Sequence, residues 1–487
     1  MSGRYLGVDV GTSATKVSLI SADATVTASA GYPTRRGTAG EAEQDPAGWT
    51  QALADALAAV LAQGGTGLGS VTAIGLCGQT PTLVPVDAAG EPVRPALTWQ
   101  DTRASAEAAE LAARFGDPEP LIGTALPWSA ANMPAKLLWL TRHEPSTVRR
   151  TRWLLQPKDL VGLELTGSPA SDPWSAKGIC RVSDRAPAAD VLAGCGWPAQ
   201  ACPPIADAWA PRGTVSAAAA RRFGLPEGIP VCVGWSDALA QVLAAGCFER
   251  QSAFVFSGTS AIVGVPVTDE SPRAAGLFRV PRTCAPIPPL YGPTSSSGAS
   301  VAWVARLLGC QPADVPGIAA GAAEATPTFV PYLSGERAPL WNTEVRGLLL
   351  GLAAEHGPPE IARAVMAGTL LSARHVLDTV AEATGRGAGE IEYAGRGAGD
   401  PTWEAIALQT LGARLRFHSD PDMSARGAAI LAAIMTGISL REATASLGDR
   451  ARTAEPSLGD LARGRLLIDR YRQASDTALG WLRDTAS

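Results

Sequence analysis

Near the N-terminus the apolar residues fall into short runs, YLGVDV, KVSLI and ATVTASA, broken by Gly, Ser and Asp. Runs this short, bounded by turn formers, predict two or three β-strands within the first ~30 residues. From Pro46, PAGWTQALADALAAVLAQ places its apolar residues at helical spacing, with proline in the first turn, and predicts a helix. VTAIGLCG then predicts another strand, leading into QTPTLVPVD. Strands followed by helices indicate an α/β domain.

Between about 128 and 230 the pattern is less regular and richer in Pro and Trp, which predicts an insertion or cap carrying specificity. GIPVCVGWSDALAQVLAAG reads as strand, turn and a helix opening near Asp237. A second strand-rich entry begins at about 251 and echoes the first. Its FVFSGTSAIV repeats the Gly-Thr-Ser-Ala of residues 11–14, and IEYAGRGAGDPTWEAIALQTLG later reads strand, Gly-rich turn, helix. The two Gly-Thr-Ser-Ala words lie 247 residues apart, about half the chain. The repetition predicts duplicated domains, 1–247 (with the insertion at about 128–230) and 248–487.

Composition agrees with this division. A chain of 487 residues is too long for one ordinary core, and 46% hydrophobic residues can fill two. The formal charge of −5 is small for the length and gives no support to nucleic-acid or anionic-membrane partners. Eight scattered cysteines without a Cys-x-x-Cys pair fit reduced thiols in a cytoplasmic protein. Four histidines, none near another at ligand spacing, leave acid–base work to carboxylates. No uninterrupted apolar stretch approaches the ~18 residues that span a bilayer.

Candidate chemistry starts with Asp9, a carboxylate inside an apolar strand, whose place in the second copy is taken by Phe256. A Gly-Thr-Ser turn between strands aims successive backbone N–H groups into one concavity suited to phosphate oxygens. An acid beside it can hold Mg²⁺, often through water. The plainer reading is a hairpin with a solvated aspartate; the paired, asymmetric turns favour function. Lys16, one of only four lysines, follows the first turn as a candidate phosphate ligand or an exposed strand lysine. Asp237 reads equally as a helix N-cap or as the base taking a proton from an attacking hydroxyl. TWQDTR, residues 98–103, offers an aromatic face with Asp101 and Arg103 for a polyhydroxylated ligand. GRGAGD at 395–400 could approach a nucleotide, although GRGAG also occurs at 385–389 as a connector, and no Walker A loop exists.

Taken in order, GVDVGTSATK, GLCGQT, RPALTWQDTR, PAKLLWLTRHEP, LPEGIPVCVGWSDALAQVLAAG, FVFSGTSA, PYLSGERAPLWN and YAGRGAGDPTW resemble the FGGY carbohydrate kinases, in particular their xylulokinase-like branch. The resemblance implies an α/β fold of two actin-like ATPase (ribonuclease-H-like) domains around an interdomain cleft. It also implies ATP-dependent phosphorylation of a sugar hydroxyl with Mg²⁺. Carried over by position, Asp9 organises the metal, and Thr12, Ser13 and Lys16 approach the phosphates. Asp237 is the general base. Gly258, Thr259, Gly298, Gly397 and Ala398 belong to the nucleotide site. Gln79, Thr80, Trp99, Asp101 and Arg103 lie at or just behind the sugar.

The chain departs from the family mainly around the substrate. Thr80 and Pro81 stand where xylulokinases usually have Met-His, Ala238 where Asn follows the catalytic Asp, and Trp235 and Ser236 where glycines precede it. A site that leaves sugar hydroxyls unpaired discriminates against that sugar, so a less polar sugar, polyol or cyclitol is expected rather than D-xylulose. Arg396 replaces a usual glycine in the nucleotide loop. The competing reading is a degenerate kinase kept as a sugar-binding or regulatory protein. Small-molecule partners and a cytoplasmic location are expected, with neither nucleic acid nor membrane as partner; a homodimer is compatible with all of this.

Overall fold

The computed structural model describes residues 3–64, 68–125, 127–269, 273–323, 326–395, 397–448 and 450–485. The chain divides into two compact units: Met1–Glu249 with Val280–Pro286 and Asp422–Gly448, and Arg250–Arg279 with Ile287–Pro421 and Asp449–Ser487.

Unit 1 is built on a seven-stranded sheet of β1 (Arg4–Val10), β2 (Ala14–Ile20), β3 (Thr25–Gly31), β4 (Val71–Gly78), β5 (Pro211–Thr214), β6 (Pro230–Cys232) and β7 (Trp235–Ser236). Its order is β5-β6-β4-β1-β2-β3, with β7 also beside β4. β1 is central and buried from Tyr5 to Val10, which explains why its apolar run is continuous rather than alternating. Helix α1 (Pro46–Gly64) places Trp49, Leu53, Leu57 and Val60 in the core, where α2 (Pro157–Thr166) adds Leu160, Val161 and Leu165. Helix α3 (Asp237–Ala244) follows β7 directly.

Unit 2 carries β8 (Ala253–Ser257), β9 (Ala261–Pro266), β10 (Phe278–Arg279), β11 (Pro289–Pro293), β12 (Glu390–Gly395), β13 (Arg414–His418) and β14 (Arg452–Ala454) in one sheet. Helices α4 (Gly298–Leu308), α5 (Pro358–Thr384) and α6 (Pro401–Leu411) bury Val304, Val365, Leu370, Leu377, Trp403 and Ile406 in its core. The order β14-β13-β12-β8-β9-β11 matches β5-β6-β4-β1-β2-β3 strand for strand. Orientations match too: an antiparallel edge pair, two parallel steps, then two antiparallel ones. Both units thus share one mixed α/β core, and the repeated Gly-Thr-Ser-Ala word marks the same hairpin in each.

Two features depart from the sequence pattern. Residues 211–214, expected in the insertion, form the edge strand of the unit 1 sheet, too short at four residues to show a period, and pair with the strand at 230–232 that GIPVCV predicts. Residues 422–448 return to unit 1, where α7 (Met423–Met435) lies on β1 and β4. That approach requires glycine. A Cβ on Gly7 would sit 1.8 Å from the Ala425 carbonyl oxygen, and one on Gly75 1.7 Å from that of Ala428. No helix among the described residues is long and apolar enough to cross a membrane.

Because backbone on the facing helix cannot yield cheaply, Gly75→Ala should lose about 3 kcal/mol or more in urea unfolding. Gly69→Ala, which meets open space, should stay within ~0.5 kcal/mol of the parent.

Candidate active site

The carboxyl ends of parallel strands are where α/β sheets present ligand sites. At that edge of unit 1, Asp9 pairs with Cys77 and Val10 with Gly78, while Trp235 and Ser236 pair with the same two residues from the other side. Asp9 and Asp237 are thereby delivered to one edge from strands flanking β4. Ser236, not Asp237, is the N-cap of α3: its hydroxyl accepts the Leu239 N–H at 3.4 Å. The N-cap reading of Asp237 is therefore corrected. Asp237 is the first helical residue, its Oδ1 accepting the Ala238 N–H at 2.7 Å.

The acid inside β1 has local partners. Asp9 is 4% exposed, and its Oδ2 accepts the Ser424 hydroxyl at 2.6 Å from the first turn of α7. Lys16, cross-strand from Asp9, forms an ion pair with Asp422 at 3.2 Å. Burial works against the lysine's charge, but Asp9 and Asp422 outweigh it and hold its pKa above the usual value. Burial raises the Asp9 pKa against the pull of Lys16 and Ser424. Asp237 is pushed up to about 7, first by burial and then by the negative charge of Asp9, against the Ala238 N–H and the positive charges of Lys177 and Lys16. Each acid thus makes the other harder to ionise.

The Gly-Thr-Ser turn is held from behind. The Tyr32 hydroxyl donates to the Gly11 carbonyl at 2.6 Å, Gln44 Nε2 to that of Thr12 at 2.7 Å, and the Tyr32 N–H to that of Ser13 at 3.1 Å. In a trans peptide the carbonyl of one residue and the N–H of the next point opposite ways. Three anchored carbonyls therefore turn the amides of Thr12, Ser13 and Ala14 outward as a nest. In unit 2 the Gly298 N–H donates to Gly258, and those of Ser297 and Ala299 to Thr259, which turns the amides of Thr259 and Ser260 the other way. This brings Gly258, Thr259 and Gly298 together. Ser257 pairs with Gly395, so Gly397 and Ala398 follow the strand beside that turn. Gly397 has φ +89°, and a Cβ there would meet the Trp403 ring at 2.2 Å. Arg396 lies outside the described residues.

The sugar-site candidates gather in unit 1. Gln79 extends β4, its N–H donating to Val10 at 2.9 Å, and its side-chain Nε2 donates to Gln44 at 2.8 Å. Its Oε1 is buried without a partner among the described residues. Thr80 is half-buried before the cis bond to Pro81. Trp99 Nε1 donates to the Thr12 hydroxyl at 3.1 Å, tying the aromatic to the turn. Asp101 and Arg103 are committed to each other: the guanidinium spans both carboxylate oxygens, Asp101 also accepts the Ala42 N–H at 2.8 Å, and Arg103 pairs with Glu43 at 2.9 Å. They stand behind Trp99 as a frame. Ser424, Asp422 and Gln44 carry no local signal, because their partners are 415, 406 and 32 residues away along the chain.

Among the described residues no group of three or more His, Cys, Asp or Glu is placed to hold a metal. Mg²⁺ takes only one or two carboxylates when water and phosphate complete its shell. Asp9 fits that demand: its Oδ1 is buried and unpartnered, beside a second acid.

Known proteins resemble this chain over most of its length. The chain is 31% identical to a xylulose kinase of Escherichia coli over 453 residues, 88% of this chain and 90% of the relative. It is 30% identical to a xylulose kinase of Streptomyces coelicolor, covering 99% of this chain and 98% of that one. A crystal structure of a xylulose kinase from Rhodospirillum rubrum superposes with a TM-score of 0.87 at 25% identity, covering 99% of this chain and all of that one. The model of the N-terminal domain of the FGGY family of carbohydrate kinases matches residues 4–244, and that of the C-terminal domain residues 253–436. With both family domains present in order, the chain belongs to the FGGY family of carbohydrate kinases.

Proposed function

We propose that this carbohydrate kinase transfers the terminal phosphoryl of ATP to a hydroxyl of a sugar-like polyol less polar than D-xylulose, with Asp237 as general base. FGGY kinases use ATP. The observation that carries the mechanism is the pair of acids at one sheet edge, Asp9 buried in β1 and Asp237 half-buried at the start of α3, with the pKa of Asp237 raised to about 7. A carboxylate with an ordinary pKa is a feeble base towards an alcohol; one poised near neutrality is both ionised and basic at working pH.

Asp237 would accept the hydroxyl proton as the oxygen attacks phosphorus. The outward amides of the Gly-Thr-Ser turn, with Thr12, Ser13 and Lys16, would receive the charge of the transferring group. Thr259 and its neighbours Gly258, Gly298, Gly397 and Ala398 are the nucleotide residues of unit 2. Asp9 would hold Mg²⁺, largely through water; when bound, the ion supplies neutralisation of phosphate charge. On the acceptor side, the buried Gln79 Oε1, which has no partner among the described residues, would take a substrate hydroxyl. Pro81 and Ala238 offer no hydrogen-bonding side chain, which supports an acceptor with fewer hydroxyls to satisfy.

Asp237→Asn should lower kcat 10²- to 10⁴-fold while leaving ATP binding by calorimetry within about threefold; near-parental turnover would remove Asp237 from the mechanism. The base acts only when ionised, and its folded pKa is raised. In the parent, kcat/KM for the acceptor should therefore fall about tenfold per pH unit below ~7 and level off above it, as a pH–rate series would record. Asp9→Ala should weaken nucleotide binding in Mg²⁺ but hardly in EDTA. Equal losses in the two titrations would refute the metal role.

A further inference from the structure

Lys136, outside every group assigned so far, is 1% exposed and has no carboxylate at ion-pair distance among the described residues. Its ammonium donates instead to backbone carbonyls: Pro81 at 2.9 Å, Thr98 at 2.8 Å and Leu97 at 3.4 Å. Burial drives its pKa down to about 7, the mark of a cation held in apolar surroundings without a full counter-charge. Lys136 lies in the helix Met133–His143, where Leu or Met would fill a buried position at lower cost.

The bonds made by Lys136 close a ring. From Pro81 the chain leads back to Gln79, whose amide meets Gln44 at 2.8 Å; Gln44 meets the Thr12 carbonyl at 2.7 Å; the Thr12 hydroxyl meets the Trp99 indole at 3.1 Å; and Trp99 follows Thr98, which returns to Lys136. Gln44 is saturated as well, its Oε1 accepting from both Gln79 and Trp49 and its Nε2 donating to Thr34. Lys136 and Gln44 are thus the two closures of a circuit joining the Gln79–Pro81 loop, the Thr98–Trp99 loop and the Gly-Thr-Ser turn.

We propose that Lys136 is a positioning residue of the acceptor site, its ammonium stapling the loop of Gln79 and Thr80 to that of Trp99 so that both face the acceptor in register with Thr12. This rests on the reading that those loops bind the acceptor. Without the staple, three carbonyls lose a charged donor and the loops separate, while Asp9, Lys16 and Asp237 keep their own partners. The consequence is selective: acceptor affinity falls, nucleotide affinity does not. Gln44→Leu breaks the circuit at the turn instead and should move both.

The test uses the full chain with Lys136→Met and Lys136→Arg. Initial rates are taken with MgATP and with D-xylulose, ribitol and myo-inositol as acceptor probes, and hydrogen–deuterium exchange is followed in peptides covering 79–83 and 97–103. Lys136→Met should raise the KM of the best acceptor at least tenfold, with kcat and the KM for MgATP within threefold. Exchange should rise in those two segments, and Lys136→Arg should recover part of both effects. Unchanged exchange there, an unmoved acceptor KM, or a uniform fall in kcat that tracks a lowered melting temperature overturns the proposal. Absence of wild-type turnover on every probe would count against the kinase reading instead; the exchange difference then decides the role of Lys136 alone.

Discussion

Two carboxylates at one edge of a single sheet, Asp9 buried and Asp237 half-buried, constrain much else in unit 1. Neither can ionise cheaply in a low-dielectric site, and each raises the cost for the other. Asp9 needs the Ser424 hydroxyl and the nearby charge of Lys16. Those partners need the start of α7 lying against β1, and that needs Gly7 and Gly75 to let the helix backbone close in. The small-residue surface of α7, the glycines of β1 and β4, and the acid inside an apolar strand are one arrangement viewed at three points along the chain.

The duplicated core explains why the second turn is not charged. Phe256 holds the place of Asp9 and stacks on Phe254, and the turn is anchored by the amides that open α4 rather than by the side chains of Tyr32 and Gln44. The same strand order thus supports two kinds of turn. One is bordered by acids and a lysine; the other is neutral. Duplication provides the frame, and a few substitutions on it assign different chemistry to each half.

Much of this was legible along the chain. The hairpins, the Gly-Thr-Ser turns and the helix after Asp237 are local features, written in turn residues and apolar periodicity, and ordered motifs carried the family. What escaped was non-local. Nothing near Ser424 signals a contact with Asp9, 415 residues away. The four-residue strand at 211–214 is too short for a period. The N-cap of α3 was assigned one residue late because Ser236 and Asp237 are both good caps and only backbone geometry separates them. Asp101 and Arg103 read as residues at or just behind the sugar; that they close on each other shows only in the folded chain.

The central claim is electrostatic, and a carboxyl titration reaches it most directly. In protein labelled with ¹³C at aspartate side chains, one resonance should titrate near pH 7, vanish in Asp237→Asn and move to lower pH in Asp9→Asn, where the repelling charge is gone. An Asp237 carboxyl titrating near 4, or one indifferent to Asp9→Asn, would contradict the account.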